Sequence, residues 1–359
     1  MVRGIAAALL LVGCHARNPA FCPDGADPAG MCILPDPVDA GATCYGVVPF
    51  VVCVNAPDAP RTMGRVDSTA GCDDVVMVGG SEVCVVKGTD VDIVQRIPVT
   101  GARPVVILAS NALTVHETGI VDAGGTTTGG GPGADLACDA STIAGQDNAT
   151  GGGGGAGGSF GSRGGNGGFG DGNHGAGGVA PMPPGRPAAI QGGCSGGDGG
   201  DGSGGLGGSR GFGGGAVYLV AGETLTIRGT VTASGTGGRG GQPSKSGGGG
   251  GGSGGMIVLY APAATAAESA LIFANGGGGG SGAKGGGAGS PGASPTEPHA
   301  VALGGVGQGG SGGNGAFQMF AAGPGLSSPD GGGGGGGGAG VIYILGGDFS
   351  AAALSPPPT

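Results

Sequence analysis

The sequence predicts an all-β chain: a parallel β-helix-like solenoid of short strands with glycine-rich insertions, preceded by a small disulfide-rich module. Three observations predict it. Short apolar phrases dominated by β-branched residues recur between glycine tracts, as in Ala216-Val217-Tyr218-Leu219-Val220-Ala221 and its near-copies starting at Val105, Met256 and Val341. Such phrases cannot each build a core, so they must stack on one another. Of 359 residues, 100 are Gly, and Gly holds every third position from Gly152 to Gly170, from Gly193 to Gly214 and from Gly304 to Gly313. Three residues per turn is the period of polyproline II.

The first element, residues 1–14, reads as an export signal. Arg3 is a positive n-region and Ile5 to Val12 a short apolar stretch, too short to span a bilayer. Its end, Leu11-Val12-Gly13-Cys14, resembles the lipobox of bacterial lipoproteins. The resemblance implies cleavage before Cys14 and lipidation of that Cys. It further implies an exported protein whose partner is a membrane, held through the N-terminal lipid at the outer membrane or cell surface. Several acyl chains give firm anchoring, since each buried CH₂ contributes about 0.8 kcal/mol.

Nine Cys are present, and setting Cys14 aside leaves an even number. Cys22, Cys32, Cys44, Cys53, Cys72, Cys84, Cys138 and Cys194 then read as disulfide partners of an exported chain. Local pairing is expected: Cys72 with Cys84, Cys138 with Cys194, and the first four among themselves. No C-x₂-C pair occurs, which argues against zinc. Residues 15–66, rich in Cys and Pro, form the expected disulfide module or stalk.

Residues 67–350 carry the solenoid. Val75-Val76-Met77-Val78, Val83-Cys84-Val85-Val86 and Val105-Val106-Ile107-Leu108-Ala109 are continuous apolar runs suited to strands buried on both faces. Val91-Asp92-Ile93, Leu113-Thr114-Val115 and Leu225-Thr226-Ile227 alternate, as strands with one wet face do. A period of about 20 residues is one solenoid turn. Glycine-rich insertions leave it at 126–214, 239–254 and 278–339, and a Pro-rich tail follows at 351–359. The longer three-residue runs lack Pro, which excludes collagen. Ordering glycine requires backbone groups to pair between neighbouring polyproline II segments; the alternative is a disordered linker. The run 331–338, with no side chains at all, is expected to be looser chain.

Gly151-Gly152-Gly153-Gly154-Gly155-Ala156-Gly157-Gly158 and the apolar phrase after Gly215 resemble the glycine-rich, PGRS-type proteins and the glycine-rich surface proteins of soil bacteria. The resemblance covers roughly residues 72–350 and implies a surface or secreted protein; it brings no active site.

Chemistry-bearing residues are sparse. Net charge is −10 with 14 Lys and Arg and no basic cluster, which excludes binding to nucleic-acid backbones. His15, His116, His174 and His299 show no pairing with a nucleophile. Asp90 and Asp92 share one strand face, and a solvated strand is their simplest reading. Gly196 to Gly202 resembles the calcium nonapeptide of RTX proteins, making Asp198 and Asp201 candidate calcium ligands, but Ser203 replaces its apolar residue and no tandem copy follows. No cofactor is expected. The sequence thus points to a non-enzymatic surface lipoprotein, structural or adhesive, whose partners are surface polymers or other cells. The alternatives are a polysaccharide-acting β-helix enzyme and an ice- or surface-binding protein.

Overall fold

The structure is a computed structural model that describes residues 41–359 apart from 140, 142 and 186. The lipobox with Cys14, and Cys22 and Cys32, lie outside the described residues. The chain is all-β, without helices among the described residues. A two-stranded sheet, β1 (Ala42–Tyr45) and β2 (Val52–Asn55), opens it. Three larger sheets then share the remaining strands, and from β6 to β18 successive strands fall into the three sheets in turn.

One sheet holds β5 (Asp74–Val78), β6 (Ser81–Gly88), β9 (Val105–Ala109), β12 (Ala216–Ala221), β15 (Met256–Tyr260) and β18 (Val341–Ile344). A second holds β3 (Arg61–Thr62), β7 (Val91–Ile93), β10 (Ala112–Val115), β13 (Thr224–Ile227) and β16 (Ala263–Ala266). The third holds β4 (Val66–Asp67), β8 (Arg96–Thr100), β11 (Ile120–Asp122), β14 (Thr230–Thr232), β17 (Leu271–Phe273) and β19 (Ala353–Ser355). Within these three sheets pairing is parallel, except for the β5–β6 hairpin.

Register explains why these sequences stack. Cys84, Val105, Val217, Ile257 and Ile342 form one column, and Val86, Ile107, Leu219, Leu259 and Ile344 the next. Both columns belong to a core to which all three sheets contribute residues. The alternate residues of the first sheet, Val106, Tyr218 and Val258 among them, face a second core closed by Phe50, Val52, Phe160 and Ile190. From β6 to β18 this sheet is buried on both faces, so those strands read as unbroken apolar runs; the run Val75-Val76-Met77-Val78, expected to be buried likewise, forms the edge strand β5 and leaves Val75 and Met77 exposed. The other two sheets bury only alternate residues, such as Leu113 and Leu225, and leave Thr114 and Thr226 half-exposed.

Among the described residues three disulfides are formed: Cys44–Cys53, Cys72–Cys84 and Cys138–Cys194. The stacked sheets begin at β3 and β4, inside the stretch expected to be the separate module, because Arg61–Thr62 and Val66–Asp67 pair with β7 and β8. They also extend into the expected tail, where Ala353–Ser355 pairs with β17.

The glycine tracts are ordered. In residues 152–158 the direction of the backbone hydrogen bond rotates with a period of three. Gly152, Gly155 and Gly158 donate to Lys245, Gly248 and Gly251 at 2.9 Å each. Gly153 and Ala156 donate to Gln146 and Ile143, and Gly154 and Gly157 to Gly168 and Gly165. That is the three-residue turn of polyproline II, with hydrogen bonds made between segments rather than within one. The insertions do not project separately; they interleave into one array.

Fourteen described segments lie in four rows: 175–180, 164–170 and 323–328; then 143–148, 151–158, 331–340 and 309–316; then 193–202, 247–255, 274–283 and 302–305; then 205–215, 233–242 and 289–293. The four inner segments, 151–158, 331–340, 247–255 and 274–283, each donate to three neighbours and accept from three others. An inner segment has no free direction for a side chain, so its turns are built of Gly, Ala and Ser, apart from Asn275 at the start of segment 274–283. A peripheral segment has one free direction, and every third residue there carries a side chain. The run 331–338 is therefore not loose. Gly332, Gly335 and Gly338 donate to Gly152, Gly155 and Gly158, and the run is buried at the centre of the array because nothing but glycine fits there.

Candidate functional site

The chemistry-bearing side chains lie on the surface of this scaffold. Cys138–Cys194 ties the start of segment 193–202 to the preceding loop. Asp198 and Asp201 sit on that segment, three apart, at its outward positions. Asp198 pairs with Arg210 at 3.0 Å and accepts from the Arg210 amide, while Asp201 accepts from the Gly207 amide. Both carboxylates thus brace the turn into segment 205–215, and no cluster of three or more His, Cys, Asp or Glu that would hold a metal occurs among the described residues. Their D-G-G-D spacing is that of a peripheral segment.

Asp90 lies in the bend before β7 and Asp92 within that strand. Asp92 lies 2.8 Å from His116 Nε2 across neighbouring strands, and both side chains are well exposed. Among the described residues, no Ser, Thr or Cys side chain is hydrogen-bonded to this His–Asp pair. His174 contacts Asp171 in the turn that joins segments 164–170 and 175–180.

On the exposed face of the second sheet, Thr62, Asp92, Thr114, Thr226 and Thr265 form one column across five strands. The spacing between strands is about 4.7–4.9 Å, so this face repeats its polar groups regularly.

A polar depression lies where the third sheet runs into the fourth row of the array. Strand β14 passes directly into segment 233–242. Thr230, Thr232, Ser234 and Thr236 follow one another at every second residue, and Arg239 follows three residues on as the period changes from two to three. Two cavities of about 380 Å³ and 190 Å³ meet along this line, sharing Thr236 and Ser294. Arg96 and Asp122, ion-paired with each other, close the sheet end, and Phe273 and Phe212 contribute rings. The opposite wall, Ser294 to Thr296, is held by Ser294 accepting from the Gly237 amide and by Asn275 donating to the Pro298 carbonyl. The groove was not visible in sequence: its signal, hydroxyls at alternate positions of 230–236, also describes an ordinary wet strand.

No helix among the described residues is long and apolar enough to cross a membrane. No family model matches the chain, and neither the curated proteins nor the solved structures contain a match to it.

Proposed function

We propose that this protein is a non-enzymatic, exported lipoprotein, anchored through Cys14 at the outer membrane or cell surface, with an adhesive or structural role. The three parallel sheets are read as turns of a β-solenoid, and the glycine array as a rigid slab braced against it. The observation that carries the reading is the slab's construction. Its interior is held mainly by backbone hydrogen bonds, and its larger side chains recur at regular outward positions. Regular surfaces suit avidity, in which many weak contacts sum without any single tight site.

The test is display of the full chain in a Gram-negative host fed a labelled fatty acid. The chain should take up label, Cys14→Ala should not, and displaying cells should attach to a polymer-coated surface more than undisplayed ones. An unlabelled wild-type chain removes the lipoprotein assignment; labelled cells that attach no better than controls remove the adhesive one.

A further inference from the structure

The groove along Thr230–Arg239 has the chemistry of a site for an extended, hydroxyl-rich chain. At 3.1–3.3 Å per residue the line from Thr230 to Arg239 is roughly 28 Å long, a span suited to several linked sugar rings rather than to one small molecule. Its lining alternates hydroxyls with charged and aromatic groups. The Thr236 hydroxyl accepts from the Phe212 amide at 2.8 Å, which leaves its own proton to donate. Half-buried Phe212 offers a ring to the apolar face of a sugar.

Charge selects among sugars. Arg96 holds Asp122, and Arg210 holds Asp198. Arg239 is exposed, lines the groove and has no carboxylate partner among the described residues. An unpaired guanidinium on an otherwise acidic protein is the natural partner of a carboxylate, which it can engage with two hydrogen bonds. Cleavage is a different matter: glycoside hydrolysis uses two carboxyl groups flanking the bond. Asp122 is the one carboxylate among the lining residues, and Arg96 already holds it.

We infer that this groove binds, without cleaving, a linear polysaccharide bearing carboxylate groups, with Arg239 taking the carboxylate and the Thr230–Thr236 hydroxyls the sugar hydroxyls. The inference rests on the adhesive reading and supplies the class of polymer to which the surface attaches.

The experiment is affinity electrophoresis of the full-length protein in detergent, through gels containing sodium polygalacturonate or, separately, neutral dextran. The expected result is retardation by polygalacturonate alone, about tenfold weaker for Arg239→Ala. Arg163→Gln, which removes an equal charge from the opposite row of the array, should behave as wild type. No reducing ends should appear on prolonged incubation. The site assignment is overturned if neither polymer retards the protein, or if Arg163→Gln weakens binding as much as Arg239→Ala. Equal retardation by dextran overturns the carboxylate assignment, and released reducing ends overturn binding without cleavage. The two readings fail separately. Displayed cells that still attach when Arg239 is Ala leave adhesion standing without the groove, and a protein that binds polygalacturonate but confers no attachment leaves the groove without adhesion.

Discussion

At the residue scale, two positions show what close packing demands. A Cβ on Gly250 would lie 1.9 Å from the Ala156 carbonyl oxygen, whereas one on Gly286 would meet nothing within 4 Å. No rotamer relieves the first, because the obstacle is backbone of a neighbouring segment. Gly250→Ala is expected to destabilise the protein by about 3 kcal/mol or more, and Gly286→Ala by less than about 0.5 kcal/mol, in parallel denaturant titrations. Tyr218 is the second case. It is fully buried in the outer core, its hydroxyl has no hydrogen-bond partner among the described residues, and it lies against Gly46. Burial, with a smaller contribution from Tyr260, pushes its phenol well above the usual 10.0. The folded state therefore holds the proton where the unfolded chain releases it. This contribution is intact below pH 10 and is lost progressively as pH rises above it. Tyr218→Phe should flatten the loss of stability above that pH and cost little at neutral pH, since the hydroxyl makes no bond to lose. A thermal melt series across alkaline pH reads both effects.

At the element scale, strands with β-branched cores were legible and a strand without them was not. Val91-Asp92-Ile93 and Leu225-Thr226-Ile227 announce themselves by alternation, and both became strands of the second sheet. Ala263–Ala266, their partner in the same column, is alanine-rich and carries no such signal; it is a strand because Thr224–Ile227 templates it in register. Ala353–Ser355, placed in a Pro-rich tail by composition, is a strand for the same reason beside Leu271–Phe273. Among glycine segments the rule is sharper. Two glycines and a variable residue per turn, as in Gly164 to Gly170, mark the periphery; uninterrupted glycine, as in 331–338, marks the interior. Low complexity there encodes six-sided packing, and composition alone does not separate it from a flexible linker.

For the whole molecule, the balance of backbone terms is decisive. Fixing a residue's backbone costs about 1–2 kcal/mol, and a hydrogen bond returns a net 0.5–1.5 kcal/mol or so. Glycine segments that bury almost no side chain do not gain enough from hydrogen bonds alone. The stacked apolar columns and the Cys138–Cys194 bridge must supply the remainder. That bridge spans 56 residues of sequence, most of the first tract. On the loop-closure account it is worth about 4 kcal/mol. Replacing both cysteines by Ala should lower stability by up to that amount, and hydrogen exchange should locate the loss first in residues 143–202. A change spread evenly over the chain would show that the bridge does not specifically hold the array.

The sequence by itself determined the strand chemistry, the disulfide pairs Cys72–Cys84 and Cys138–Cys194, and the three-residue turn of the glycine tracts, because each of these is written in spacing a few residues to a few tens of residues long. Only the tertiary structure decided that three separate tracts interleave into one array, that the most featureless run lies at its centre, and that Thr230–Thr236 meets Arg239 and Ser294 in a groove. Those outcomes depend on which segments lie side by side, and glycine, having no side chain, leaves no mark in the sequence of the neighbour it will touch.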